Sequence, residues 1–268
     1  MQTDHVSALK AFEAALDGPP SDLADAIDRL PMALPDHLVL RALETASEFR
    51  NGRHQSRVLA ALLLHLSAAT LPSAFALVDS LLDEDRERAH LIIMIAQVTP
   101  PQLLPRLHAV AQALGEAEER QRALTELARY MPEIFPDVLA CAYAIENPDN
   151  RLYALVDLLR VRTDIVDAVI AAFDNTENVR FLAWPLCRLA TYAPKIIPRA
   201  LDAIIAGPAD YSAQYSLAEM IPHLRPEDAP QMRAVMRHML ASRSDISPLR
   251  RALSKQFPDQ SWWGDFPD

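Results

Sequence analysis

The chain has 268 residues, half of them hydrophobic, and a formal charge of −10, which is enough apolar material for one large core or two small ones. No apolar run reaches the ~18–20 residues that span a bilayer; the longest, Val58 to Leu66, is interrupted by His65. The start from Met1 to Lys10 is polar and lacks the apolar centre of a secretion signal, so the expectation is a soluble, cytoplasmic protein.

Five glycines stand against twenty-one prolines. Scarce Gly argues against hairpins and Gly-rich phosphate loops, and abundant Pro then serves as punctuation between helices. Arg greatly outnumbers Lys, which points to GC-rich, bacterial coding. The two cysteines, Cys141 and Cys187, fall in apolar helical stretches and read as reduced thiols. The charge is uneven: residues 1–220 are acidic, residues 221–255 are basic, and the last thirteen carry three Asp and nothing basic. An acidic chain repels the phosphate backbone, which argues against nucleic acid as the main partner.

In chain order, Asp4 to Leu16 reads as a helix ending at Asp17-Gly18, Ser21 to Leu30 as a short helix, and Pro35 to Phe49 as a third. Residues 1–52 are thus expected to hold capping helices and the first repeat helix. From residue 53 one pattern recurs. Arg57, Arg88, Arg122, Arg151, Arg180, Gln214 and Arg251 each open an apolar helical stretch, at spacings of 31, 34, 29, 29, 34 and 37 residues. Second helices lie between them: PSAFALVDSLL, LLPRLHAVAQAL, IFPDVLACAYAI, DIVDAVIAAF, IIPRALDAII and APQMRAVMRHML. In the second of these, Leu103, Leu104, Leu107, Val110, Ala111 and Leu114 form a helical stripe. Pro72, Pro105, Pro136 and Pro198 fall in the first turn of a second helix, where a missing N–H costs nothing. Asn51-Gly52, Gly115, Asn147-Pro148, Asn175 and Gly207-Pro208 fall where a helix is expected to stop. Pro185, after Trp184, is expected inside a helix and to kink it.

Helices of about 10–14 residues are marginal alone, so stacked pairs must build the core. The reading is an all-α solenoid of about seven antiparallel helix pairs, with repeats over 53–257 and an aromatic, acidic tail over 258–268. Its contacts are local, so quick folding and an elongated shape are expected. The recurring Arg is expected to pair with acids of the preceding turn, such as Asp85, Glu119, Asp149 and Glu177.

The segment RALTELARYMPEIFPDVLACAYAIENPDNR resembles the short degenerate HEAT-like repeats of bacterial multidomain proteins, and the resemblance covers about residues 53–257. It implies a HEAT-like or armadillo-like superhelix. In those proteins the repeats often sit beside signal-transduction ATPase or caspase-like modules as sensing or docking arms. No such module is present in this chain. The resemblance therefore implies binding, and its repeat motif has no catalytic residue to carry over.

Nucleotide-binding, nucleophile-elbow and H-E-x-x-H zinc motifs are missing from the sequence, and no cofactor or metal is expected. The expected binding face is the row of second helices, with Arg106, Tyr143, Arg199, Arg233 and Arg237 as anchors of the types favoured at interfaces. Trp262, Trp263 and Phe266 in the tail either cover the last repeat or dock on a partner. The functional reading is a non-enzymatic protein-binding scaffold or sensor/adaptor. Its partner is another protein, such as a separately encoded effector, with self-association as a further option. The alternative is a HEAT-like nucleic-acid-processing enzyme of the DNA glycosylase type, which needs a basic face holding Trp and a carboxylate.

Overall fold

The computed structural model describes residues 2–30, 33–81, 85–174, 183–208, 211–242 and 246–258. Among these, sixteen α-helices and no β-strand occur, in two compact units, 1–144 and 145–268.

The first unit contains α1 (Gln2–Leu16), α2 (Pro20–Asp28), α3 (Asp36–Ser47), α4 (Gly52–Leu62), α5 (Leu71–Ser80), α6 (Asp85–Ala96), α7 (Leu104–Gln112), α8 (Ala117–Leu127) and α9 (Phe135–Ala144). Helices α2, α4, α6 and α8 pack in one series, and α3, α5 and α7 in a second. Phe12, Leu23, Leu59, Phe75, Leu91, Ile92 and Leu107 are fully buried between them. Each such side chain gains roughly 1.5–3 kcal/mol from leaving water.

The second unit contains α10 (Pro148–Leu158), α11 (Val166–Asp174), α12 (Ala183–Tyr192), α13 (Ile197–Ala206), α14 (Tyr211–Met220), α15 (Ala229–Ala241) and α16 (Ser247–Gln256). Here α10, α12, α14 and α16 form one series, while α13 packs on α12 and α15. Phe173, Leu189, Leu201, Leu217 and Met236 are fully buried.

Proline places the second helices as expected. Pro72, Pro105, Pro136, Pro198 and also Pro230 are each the second residue of their helix. In α11 that position is Asp167, whose charge suits the first turn of a helix. These helices begin at residues 71, 104, 135, 166, 197 and 229, a cleaner period than the arginines give.

The first helices start earlier than their arginines suggest. Arg57 and Arg122 are the sixth residues of α4 and α8, and Arg88 and Arg151 the fourth of α6 and α10. Asn51 and Asn147, expected at helix stops, are instead N-caps. The Asn51 side chain accepts from the N–H of Arg53 at 2.9 Å, and Asn147 from those of Asp149 and Asn150 at 2.9 and 3.1 Å. An Asn oxygen satisfies the donors that open a helix, so here Asn signals the next start. Gly207 does end α13. Pro185 is the third residue of α12 as described and is buried. Asn175, Glu177, Arg180 and Arg243 lie outside the described residues, as does the tail from residue 259.

Polar links join helices to their second neighbours in the chain, at intervals of about 30 residues. Arg57 meets Asp25 at 2.5 Å across 32 residues. The Asp85 carboxylate accepts from the N–H of Glu116 at 2.6 Å and pairs with the buried Arg88 at 3.3 Å. Gly115 makes room for it, since a Cβ there would stand 3.1 Å from Asp85 Oδ2. Arg188 pairs with Glu219 at 3.1 Å, and Gln231 donates to Asp202 at 3.2 Å. Of the expected Arg–acid pairs in the preceding turn, Arg88–Asp85 and Arg122–Glu119 form.

Candidate binding surface

Three helices of the second unit present one repeated outward stripe. In α10, residues Leu152, Ala154, Leu155, Val156 and Leu158 are buried, which leaves Tyr153 and Asp157, one turn apart, facing out. In α12 the buried set is Pro185, Leu186, Cys187, Leu189 and Ala190, and Trp184 and Arg188 are part-buried, as are Ala183, Thr191 and Tyr192. In α14, Ala213, Ser216, Leu217 and Met220 are buried, and Tyr215 and Glu219 stand outside the core beside Gln214 and Ala218. Residues four apart share a helix face. Residues 153, 184 and 215 are spaced by 31, and so are 157, 188 and 219. Helix α12 packs on both α10 and α14, so the stripe becomes two parallel rows, one aromatic and one charged.

In the aromatic row, the Tyr153 and Trp184 rings stack with centroids 5.1 Å apart and planes inclined by 16°. Tyr215 is 61 % exposed and Tyr153 37 %. Burial raises the Tyr153 hydroxyl above the usual phenol range, and the charge of Asp149 raises it further. The phenol is thus protonated at neutral pH. In the charged row, Arg188 is held by Glu219 at 3.1 Å, and Asp157 by Arg160 at 3.0 Å. Cys187, behind the row, is buried, and its thiol is pushed up to about 12 by desolvation with help from Glu219; such a thiol is inert as a nucleophile. No family model, curated protein or solved structure matches this chain.

The anchors expected from sequence are dispersed. Arg106, on α7, lies 5.8 Å above the buried Phe75 ring of α5, a cation–π contact inside the fold. Tyr143, near the end of α9, is 45 % exposed. Arg199 of α13 pairs with Asp174 at 2.5 Å and donates to the Phe173 carbonyl at 2.7 Å. Arg233 is half-buried on α15, and Arg237 is exposed on the same helix. Arg106 and Tyr143 belong to the first unit and the three other arginines to the second. Trp262, Trp263 and Phe266 lie outside the described residues. Arg106 and Arg199 thus make contacts with their own chain, and Arg106, Tyr143 and Arg237 are exposed. Among the described residues, no three His, Cys, Asp or Glu side chains gather in a metal-binding arrangement, and no helix is long and apolar enough to cross a membrane.

The arginine register hides the aromatic row in the sequence. That alignment places successive starts at 151, 180 and 214, two residues short at one step and three long at the next. The register of second-helix starts at 135, 166 and 197 brings Tyr153, Trp184 and Tyr215 into line.

Proposed function

We propose that the chain is a non-enzymatic protein-binding scaffold or adaptor, a HEAT-like solenoid of seven antiparallel helix pairs, that engages its partner through the Tyr153–Trp184–Tyr215 row. The solenoid reading is supported by helices that pack on their second neighbours within each unit and by polar links spaced near one repeat. The observation that carries the binding reading is the stack of exposed Tyr153 on part-buried Trp184, with exposed Tyr215 one repeat further on. Tyr and Trp are the residues most enriched among the energetic anchors of interfaces. Their rigid rings bury much area at low entropic cost. The fold gains nothing from exposing Tyr153 and Tyr215 on either side of Trp184 at a fixed period. Their presence on an otherwise well-buried helix series fits a surface kept open for contact. A separately encoded effector is the proposed partner.

Site-specific photocrosslinking in the native host tests this. With p-benzoylphenylalanine in place of Tyr215, a discrete adduct is expected, lost when Trp184→Ala is added. The same group in place of the exposed Glu44 of α3 is expected to give none. Equal labelling at the two positions, or an adduct indifferent to Trp184→Ala, would reject the aromatic row as the contact.

A further inference from the structure

A groove on the first unit, apart from the aromatic row, has a chemistry of its own. On α3, Leu40, Leu43, Glu44 and Ser47 share one face at the i, i+3, i+4, i+7 spacing of a helix. On α5 the same four positions recur 33 residues later, from Ser73 to Ser80. The two helices pack side by side, and their matched faces line a groove of about 380 Å³, within the ~300–1,000 Å³ range of ligand-binding clefts. We propose that this groove binds a short partner segment in which an apolar side chain stands next to a lysine or arginine.

The apolar half of that ligand follows from the floor. Leu43 and Leu77 are buried at the bottom, and Leu40, 39 % exposed, stands above them. Covering a leucine left that open removes apolar surface from water.

The polar half follows from donors and acceptors. Ser47 donates its hydroxyl proton to the Glu44 carbonyl at 2.6 Å, and Ser80 donates to the Leu77 carbonyl at 2.7 Å. A serine has one such proton, so both oxygens have only lone pairs left to offer. The exposed Glu44 carboxylate is likewise an acceptor alone, and it enters no ion pair among the described residues. Ser73, toward the other end, can donate or accept. Such a rim calls for donors and positive charge, which an ammonium or guanidinium supplies together.

Charge at longer range agrees. Residues 1–144, the first unit, carry twelve basic and twenty acidic side chains, so most of the chain's net charge of −10 sits in the unit that holds the groove and draws cations toward it. Arg41 on α3 and Asp79 on α5 do not line the groove, and Asp79 meets Arg88 at 3.6 Å. On α7, another 33 residues along, the equivalent positions are Arg106, Ala109, Val110 and Ala113. There a cation replaces the leucine and neither carboxylate nor hydroxyl remains, so this recognition belongs to α3 and α5.

The test uses the full chain, isotope-labelled for NMR, and three acetylated, amidated peptides: Gly-Leu-Arg-Gly, Gly-Leu-Glu-Gly and Gly-Gly-Arg-Gly. Amide shifts locate and quantify binding, and thermal melts show that each variant is folded. The Leu-Arg peptide is expected to shift amides of α3 and α5 and to bind at least about threefold more tightly than either of the others. Glu44→Gln is expected to weaken it about two- to fivefold and to flatten its salt dependence. Ala76→Phe, which fills the groove from an exposed position, is expected to abolish it.

Equal binding of the Leu-Glu peptide would overturn the cationic half of the proposal, and equal binding of the Gly-Arg peptide the apolar half. Shifts outside α3 and α5, or shifts that ignore Ala76→Phe, would place the peptide elsewhere on the acidic chain and reject the groove. No shift with any peptide would reject it as well. The Tyr215 photocrosslink is read separately, so neither result decides the other. Replacing Glu44 by p-benzoylphenylalanine removes the carboxylate on which the groove depends, so position 44 stays silent in that experiment.

Discussion

His65 accepts a hydrogen bond from the backbone N–H of Leu34 at 3.0 Å through Nδ1. A backbone N–H can only donate, so Nδ1 must carry its lone pair, and the proton of the neutral ring sits on Nε2. Desolvation lowers the pKa of this half-buried ring from its ordinary value of 6.5, with the charge of Asp28 opposing the shift. The sign of the pH effect follows. Above 6.5 the ring is neutral in both folded and unfolded chains, and its contribution to stability is complete. As pH falls through 6.5 toward the lower folded value, the unfolded chain takes up its proton first, so stability is lost. Protonation of Nδ1 also breaks the link to Leu34. His65→Gln keeps an acceptor that does not titrate in this range. The melting temperature of the parent chain is therefore expected to fall further between pH 7.5 and 5.5 than that of His65→Gln. Parallel profiles would show that the Leu34 link is not coupled to protonation. The sequence placed His65 on a helix and gave no hint of this acceptor role, because its donor lies 31 residues away in the connection between two earlier helices.

The helices themselves were legible, and the reasons are local. Apolar stripes with 3.6-residue periodicity fixed the type of each element. Proline at the second position fixed the starts of α5, α7, α9 and α13. What local reading misjudged was the direction of the signal at asparagine. Asn-Gly and Asn-Pro are turn dipeptides in general, and whether they end one helix or begin the next depends on where the side-chain oxygen points. In this fold it points forward, into the N–H groups of α4 and α10. Removing that cap is expected to cost about 1 kcal/mol, so Asn147→Ala should lower the melting temperature by roughly 2–4 °C. Asn147→Asp, which keeps the acceptor and adds a charge that favours a helix start, should leave it near the parent value. Differential scanning calorimetry decides: an Asn147→Asp loss as large as that of Asn147→Ala would mean the cap oxygen is not what matters. The binding surface was less legible than the helices for a reason of the same kind. Tyr153, Trp184 and Tyr215 look unrelated in sequence, since Tyr192 shares the helix of Trp184 and Tyr211 that of Tyr215. They become a row only when the helices that carry them are set side by side in the correct register.

At the scale of the whole molecule, the chain divides into two compact units at residue 144, each with its own fully buried side chains. Phe75 and Leu91 belong to the first, Phe173 and Leu217 to the second. A chain built from neighbour-to-neighbour helix contacts distributes stability as a sum of local terms rather than through one centre. A cavity should therefore be felt near where it is made. Leu91, on α6, is 0 % exposed, and Leu91→Ala is expected to cost about 2–5 kcal/mol in the region it serves. In hydrogen-exchange mass spectrometry, peptides covering α4, α6 and α8 should lose protection in this variant. Peptides covering α12 and α14 should keep most of theirs, because their amides open through a separate, more stable unit. The converse change, Phe173→Ala on α11, should expose the second unit and spare the first. Because the aromatic row lies wholly in the second unit, Leu91→Ala should also leave the Tyr215 photocrosslink in place, whereas Phe173→Ala should weaken it. A uniform loss of protection along the entire chain from either substitution would mean that the two units unfold as one. The stability of the aromatic row would then depend on Leu91, 62 to 124 positions away in the sequence.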